Sequence, residues 1–250
     1  FNVGLVLMVR FVAWGVTGAG HFLRETVLTM KKIKETFNVK ITTFASKAGW
    51  EVLRIYGLLS EVQKISPGGY YEEFFVSEKN WSFPVSGRLQ LGRYQVLMIS
   101  PCSGNTVAKI VHGIADTLVT NVFAQAQKGN IPIYVLPTEQ HPGETELPYT
   151  VNRDRCRGCI PCPPMEVCKY GAVELKDGKA RINLEKCWGC GLCLPVCPFG
   201  AVVFGEKVGV KPREVDVENI KKLRRMKGVT VLNQPKELEK ILEDIFKGSC

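Results

Sequence analysis

Long apolar runs are missing from this 250-residue chain. The apolar opening, Phe1 to Val9, gives way to Arg10 and falls well short of the ~20 residues a membrane-spanning helix needs. No membrane segment is expected. The opening also lacks the small-residue cleavage site of a secretory signal, so the expectation is a cytoplasmic protein with Met8 as its native start. In that compartment the sequon Asn80-Trp81-Ser82 carries no sugar. Basic residues outnumber acidic ones, 33 to 24, for a formal charge of +9. Yet no basic stretch is interleaved with aromatics, which leaves nucleic-acid binding without support. The spacing Gly-x-Gly-x-x-Gly is absent too, so a nicotinamide-dinucleotide fold gains little. Histidine is scarce: His21, His112 and His141 read as surface or capping residues, with His21 best placed to meet a ligand.

Cysteine is abundant. Eight of the ten fall in two tight runs. The second, Cys187-x2-Cys190-x2-Cys193-x3-Cys197-Pro198, has the spacing used by bacterial two-cluster ferredoxins. The first, Cys156-x2-Cys159-x2-Cys162-x5-Cys168, opens identically, has a longer last gap, and carries Lys169 in place of proline. Disulfides suit short secreted chains, and zinc favours two separated pairs. Three thiolates at successive x2 intervals reach different irons of one cubane, and the fourth comes from the other run. Cys156, Cys159, Cys162 and Cys197 are thus assigned to one [4Fe–4S] cluster, and Cys187, Cys190, Cys193 and Cys168 to the other. Pro163 and Pro164 are expected to bulge out before Cys168, and a degraded second cluster stays open. Two thiolate-bound clusters, each near −2, bring the formal +9 to about +5. Lys31-Lys32-Ile33-Lys34 and Lys221-Lys222-Leu223-Arg224-Arg225 read as solvated helix faces, with docking of an acidic electron carrier as the lesser reading.

Around the cysteines the pattern alternates strand and helix. Phe11–Gly15, Val39–Phe44, Tyr94–Ser100 and Ile131–Leu136 read as strands, the third broken by Pro101. His21–Phe37, Lys47–Tyr56 and Asn105–Gln127 read as helices, the last a single long one. Residues 66–93 are poorly patterned and read as a loop or lid, and 137–148 as a linker. Ala172–Leu175 and Ala180–Ile182 flank the hairpin signal Asp177-Gly178. Beyond the cysteines come a strand Arg213–Val217, a helix Glu218–Met226, a strand Val229–Leu232 and a helix from Pro235 to Phe246. The fold class is α/β: a flavodoxin- or Rossmann-like parallel sheet in three layers with an inserted ferredoxin-like 2[4Fe–4S] module. Residues 1–150 form the first domain, 151–208 the cluster module, and 209–250 a segment returning to the first domain. A small appendage on the outside is the alternative.

Two loops at strand-to-helix junctions are candidate cofactor sites. Gly15-Val-Thr-Gly-Ala-Gly20 can offer backbone N–H groups to a phosphate. Ser100-Pro-Cys-Ser-Gly-Asn-Thr106 can hold a ribityl chain or a flavin edge, or simply cap a helix through Ser103. Cys102 reads as a small buried cysteine, Cys250 as a frayed end, and Trp188 as a shield between a cluster and water.

Ser100 to Thr120, with Asn105-Thr106, Ala108-Lys109-Ile110 and Gly113-Ile114-Ala115-Asp116, resembles the FMN-binding stretch of the flavin-containing cysteine decarboxylase-type superfamily. The loop at Gly15–Gly20 and Ser46-Lys47-Ala48-Gly49 are similar to its phosphate loop and second-strand end. Within it the chain most resembles archaeal flavoproteins fused to a two-cluster ferredoxin module, and the likeness extends to the tail Arg213-Glu-Val-Asp-Val217. The resemblance implies FMN bound by Thr17, Gly18, Ala19, Gly20, Ser46, Ser103, Asn105, Thr106 and Thr138. It implies electrons passing from a reduced carrier such as ferredoxin through two clusters to FMN, and on to a pterin, dihydromethanopterin becoming tetrahydromethanopterin. It also implies a homo-oligomer with flavin near subunit contacts. Where the decarboxylases have Pro-x-Met-Asn this chain has Pro137-Thr-Glu-Gln-His141, which speaks against decarboxylation of a cysteine derivative. The other rival is an electron-transfer module serving a protein acceptor.

Overall fold

The structure, a computed structural model, describes residues 10–77 and 82–247, so Met8, Asn80, Trp81 and Cys250 lie outside the described residues. The chain begins with β1 (Arg10–Val16), α1 (Leu23–Thr36), β2 (Val39–Ala45), α2 (Lys47–Ile55), α3 (Leu59–Ile65) and β3 (Phe74–Val76). It continues with α4 (Ser82–Gln90), β4 (Val96–Cys102), α5 (Gly104–Val111), α6 (Leu118–Lys128) and β5 (Ile133–Pro137). The cysteine region follows as β6 (Gly143–Glu146), β7 (Thr150–Val151), α7 (Pro163–Glu166), β8 (Val173–Lys176), β9 (Lys179–Ile182), α8 (Cys193–Val196), β10 (Val202–Val203) and β11 (Lys207–Val210). Last come α9 (Glu214–Arg224), β12 (Val229–Val231) and α10 (Lys236–Lys247).

Six strands form one sheet in the order β12-β5-β4-β1-β2-β3, and every pairing in it is parallel. Strands alternate their side chains between two faces. Val12, Trp14, Val16, Val96 and Met98 face a core shared with α1, α3 and α10, while Ala13, Leu97 and Ile99 face one shared with α5, α6 and α9. That is the expected three-layer arrangement. The strand order reverses between β1 and β4, so their carboxyl ends open a crevice at the sheet's edge. Among the described residues no helix is long and apolar enough to cross a membrane.

The cysteine module leaves and rejoins the sheet through a two-stranded stem in which β6 pairs antiparallel with β11. After the stem, β12 takes its place beside β5. The 137–148 linker is therefore partly a strand, because its Thr and Glu residues find backbone partners in Lys207–Val210. Inside the module, β7 pairs with β10, and β8 with β9 across the Asp177-Gly178 turn, both of whose residues have positive φ.

Four other expectations change. Residues 66–93 contain β3 and α4 rather than a featureless lid. β4 runs on through Pro101 to Cys102, with its register against β5 shifting between Ile99 and Cys102. The long helix at 105–127 is two helices: Gly113 turns at φ +71°, and a capping box between Thr117 and Thr120 starts α6 afresh. Arg213–Val217 is a helix start rather than a strand. Its Val-x-Val alternation imitates a strand, but Asp216, Asn219, Ile220 and Leu223 form the buried helical stripe.

Candidate functional site

A cavity of about 570 Å³ lies at the carboxyl ends of β1, β2 and β4. Its size is that of a typical cofactor pocket. Of the expected flavin residues, Gly18, Ser46, Ser103, Asn105 and Thr106 line it. Ser46 caps α2 by accepting from the Gly49 amide at 2.9 Å. Ser103 makes no such cap for α5, and its hydroxyl pairs instead with Thr106 Oγ1 at 3.2 Å. The first amides of α5 are thereby left for a ligand at the positive end of that helix. At Gly18 a Cβ would come within 2.5 Å of the Ala48 Cβ, so the loop approaches α2 as only glycine allows.

The rest of the expected set stands behind this wall. Thr17 is fully buried, and its hydroxyl donates to Pro101 O at 2.9 Å and accepts from the Ser103 amide at 2.8 Å. With both functions of that hydroxyl used, Thr17 stitches the two loops together rather than facing the cavity. Ala19 is buried with its amide on Thr17 O at 2.9 Å, and Gly20 packs against the Tyr56 ring. Thr138 is tied up by donating to Glu139 Oε2 at 2.6 Å, with Cys102 O at 3.3 Å from the same hydroxyl oxygen. His21 is half-buried against Phe22, and burial lowers its pKa despite Glu25 and Glu139 nearby. Cys102 is packed core, its thiol pushed far up by burial.

Several further lining residues were not named as flavin contacts, although most lie in stretches that carry the family resemblance. Lys47, Ala48 and Glu51 follow directly from Ser46 on α2, and a helix starting at the sheet edge was the available signal. Lys109 lies one turn beyond Asn105 and is paired with Asp116 at 2.8 Å. Glu139 occupies the stretch already noted for departing from Pro-x-Met-Asn. Arg213 and Asp216 lie in the tail that carries the family likeness, but that segment imitates a strand, so their place in the cavity wall was hidden.

Asp216 is buried and receives the Arg213 guanidinium at 2.7 and 2.9 Å and the Arg213 amide at 3.2 Å. The Arg213 hydrogen bonds hold its carboxyl below the usual carboxylate range against the opposing cost of burial. A carboxylate with a lowered folded-state pKa contributes stability above its unfolded value and loses it as pH falls through the folded one. Asp216→Ala is expected to cost about 1 kcal/mol at neutral pH in urea unfolding, and the gap to the native chain should close below about pH 4.

The cysteines form two groups. Cys156, Cys159, Cys162 and Cys197 line one small apolar cavity, and Cys168, Cys187, Cys190 and Cys193 line another. Each group takes three residues from one run and the fourth from the other. The local geometry is duplicated. Cys156 N–H donates to Asn152 O at 3.1 Å and Cys187 N–H to Asn183 O at 3.0 Å. The Ala172 and Ala201 amides donate to Cys168 Sγ and Cys197 Sγ at 3.2 and 3.3 Å, and the Ala180 amide to Cys156 Sγ at 3.2 Å.

Burial opposes ionisation of Cys168 and Cys197, yet surrounding backbone amides, led by Ala172 and Ala201, hold both thiols below their ordinary value. Burial and neighbouring thiolates push Cys193 up to about 11. None of the nine described cysteines is in a disulfide. Among the described residues no three His, Cys, Asp or Glu side chains meet at one ion-sized point. The sulfurs surround cavities, as a four-iron core requires and a tetrahedral zinc does not. The long gap before Cys168 does not bulge, because Pro163 starts the helical turn α7 and Pro164 is buried.

The module docks on α2. Trp188 lines the second cysteine cavity, stacks on Tyr170 at 5.4 Å and meets Trp50 of α2 edge-on at 6.2 Å. A parallel contact runs through Tyr149, Phe204 and Tyr56, with ring centroids 4.5 and 6.3 Å apart.

Fold and site together define a flavoprotein that carries an iron–sulfur domain on the same chain. The flavoprotein family matches residues 8–145, and the 4Fe-4S binding domain matches residues 180–203. The chain belongs to the flavoprotein family and, with its 4Fe-4S domain, is an oxidoreductase. It is 43% identical over 236 residues to the dihydromethanopterin reductase (acceptor) of Methanosarcina mazei, covering 93% of this chain and 97% of that one. The Methanocaldococcus jannaschii protein of the same name is 44% identical over 231 residues, 91% of this chain and 93% of its own. Among solved structures, Burkholderia xenovorans DmrB in complex with FMN, a cubic protein cage for redox transfer, is similar with a TM-score of 0.60. It is 25% identical and covers 96% of each chain.

Proposed function

We propose that this chain is an iron–sulfur flavoenzyme that reduces a pterin, taking dihydromethanopterin to tetrahydromethanopterin with electrons from a low-potential carrier such as ferredoxin. The observation that carries the reading is a cysteine quartet docked on α2, whose first turn lines the flavin-sized cavity. The substrate comes from the names of two relatives that match more than nine-tenths of the chain.

Gly18, Ser46, Ser103, Asn105 and Thr106 would hold FMN, with Thr17, Ala19, Gly20 and Thr138 fixing the loops behind them. Cys156, Cys159, Cys162 and Cys197 would hold one [4Fe–4S] cluster, and Cys168, Cys187, Cys190 and Cys193 the second. The duplicated hydrogen bonding supports two clusters rather than one. Bound flavin supplies the conversion between single electrons and the hydride equivalent that a C=N bond takes up. The protein's share is positional. The α5 amides would face anionic or polar groups of the cofactor, and the Thr17 stitch keeps the two loops in register.

Glu139 and Gln140 stand where the decarboxylases carry the Met-Asn of Pro-x-Met-Asn, which speaks against the decarboxylase reading. Residues 1–150 and 209–250 would form one flavoprotein domain around the module at 151–208. A homo-oligomer with flavin near subunit contacts completes the proposal, supported by the cage described for the Burkholderia protein.

The test uses anaerobic holoprotein, reduced and freed of excess reductant, then mixed with dihydromethanopterin. Return of the oxidised flavin spectrum with formation of tetrahydromethanopterin is the expected result. Flavin that stays reduced with the pterin, yet reoxidises with a protein acceptor, would overturn the substrate assignment.

A further inference from the structure

The two cysteine quartets differ in what surrounds them. The Cys156 group opens beside the exposed Phe199 and the exposed Arg157, and Ile160, next in the chain to Cys159, is 89% exposed. The Cys187 group is pressed against α2 by a backbone-to-backbone contact. A Cβ on Gly57 would strike Gly189 O, and one on Gly189 would strike the Gly57 amide and, at 2.6 and 2.7 Å, Ile55 O and Arg54 O.

Arg54 sits at the centre of this contact. It is 6% exposed, donates through one terminal nitrogen to Cys187 O and through the other to Leu184 O at 3.1 Å, and lies over the Trp50 and Trp188 rings. Its Nε has no hydrogen-bond partner, and none of its partners among the described residues is a carboxylate. Glu51 and Glu185 line the same surface cavity as Arg54, but its hydrogen bonds go to carbonyls. The charge of this buried guanidinium is thus compensated only in part, which is costly. Two carbonyls and two rings soften that cost without neutralising it. A cluster bound by the Cys187 quartet carries net negative charge and would supply what is missing.

We infer that Arg54 is a positioning residue: it clamps the Cys187–Cys193 loop to α2, and its buried charge would raise the potential of a cluster held there, on the flavin side of the pair, more than the solvent-screened Arg157 raises that of the other. The inference rests on the two-cluster flavoenzyme reading. A nearby cation favours the reduced, more negative form of a cluster. An electron from the reduced carrier would enter at the outer, Cys156-side cluster and pass on to the inner one, the outer being reoxidised as the inner is reduced, with no proton moved and no bond changed. A second electron follows the same way.

The test is an EPR-monitored redox titration of holoprotein, with the inner cluster followed alone in a Cys159→Ala background. In that background Arg54→Met is expected to lower the inner midpoint by about tenfold in its equilibrium, which is 59 mV for one electron, and with both clusters present it should leave the outer midpoint in place. Arg54→Lys should restore most of the shift, because the charge remains while the fork to two carbonyls is lost. Should Arg54→Met fail to fold, the Lys variant still reads the difference between charge and clamp through hydrogen exchange at residues 54–57. Exchange there is expected to rise with the inner potential close to native. A change in the outer midpoint only, or none in either, would overturn the inference. Holoprotein lacking a second cluster would instead overturn the reading on which it rests.

Discussion

Gly57→Ala is expected to uncouple the iron–sulfur module from the flavoprotein sheet while leaving both halves folded. Gly57 has φ +70°, and its added Cβ would run into Gly189 O, a backbone atom that cannot swing aside. Gly113 is the control: at φ +71° it takes the same strain, but nothing lies within 4 Å of its would-be Cβ. An alanine forced into the left-handed region costs about 1–2 kcal/mol at either site. Any excess at Gly57 is the docking contact itself. In Gly57→Ala, flavin reduction by pre-reduced clusters should slow by at least about tenfold, equivalent to ~1.4 kcal/mol, with iron and flavin content unchanged. Gly113→Ala should destabilise without slowing that step. Equal slowing in both variants would show that the contact does not matter.

Gly18→Val has the second large effect. The Gly18 position is closed on one side by Ala48, 2.5 Å from a would-be Cβ, and open on the other to the cavity. A valine must push into one or the other. Overpacking of this kind costs about 1–3 kcal/mol, or roughly 10–100-fold in flavin affinity. Fluorescence titration of apoprotein with FMN reads it directly. Wild-type affinity in the variant would place the flavin elsewhere.

How far the sequence was legible depended on whether local pattern or distant pairing set the structure. Cysteine spacing is local and chemically constrained, so both quartets could be written down from it, and the structure gathers each around its own cavity. Strands buried on both faces, such as Val96–Cys102, read easily as continuous apolar runs. Ser46 and Ser103 were implied by the family resemblance of the stretches that carry them, since position alone marks a small polar residue at a strand-to-helix junction equally as a helix cap, which Ser46 also is.

What failed was decided across the fold. The Gly143–Glu146 strand exists because Lys207–Val210 returns beside it, some sixty residues later, and nothing in Gly-Glu-Thr-Glu announces that. Thr17 looked like a ligand contact because only the structure shows Pro101 and Ser103 taking up its hydroxyl. Arg213 and Asp216 hid behind valines at alternate positions until packing against α5 chose the helix. Gly104 marks that closeness, since a Cβ there would lie 2.9 Å from Asp216 Oδ1.

Electron counting tests the central claim most directly: stepwise anaerobic reduction of holoprotein, followed by absorbance and EPR. Uptake of about four electrons per chain is expected, one for each of two clusters and two for the flavin, with two separate cluster signals. Saturation at about two electrons, with the flavin alone responding, would contradict it.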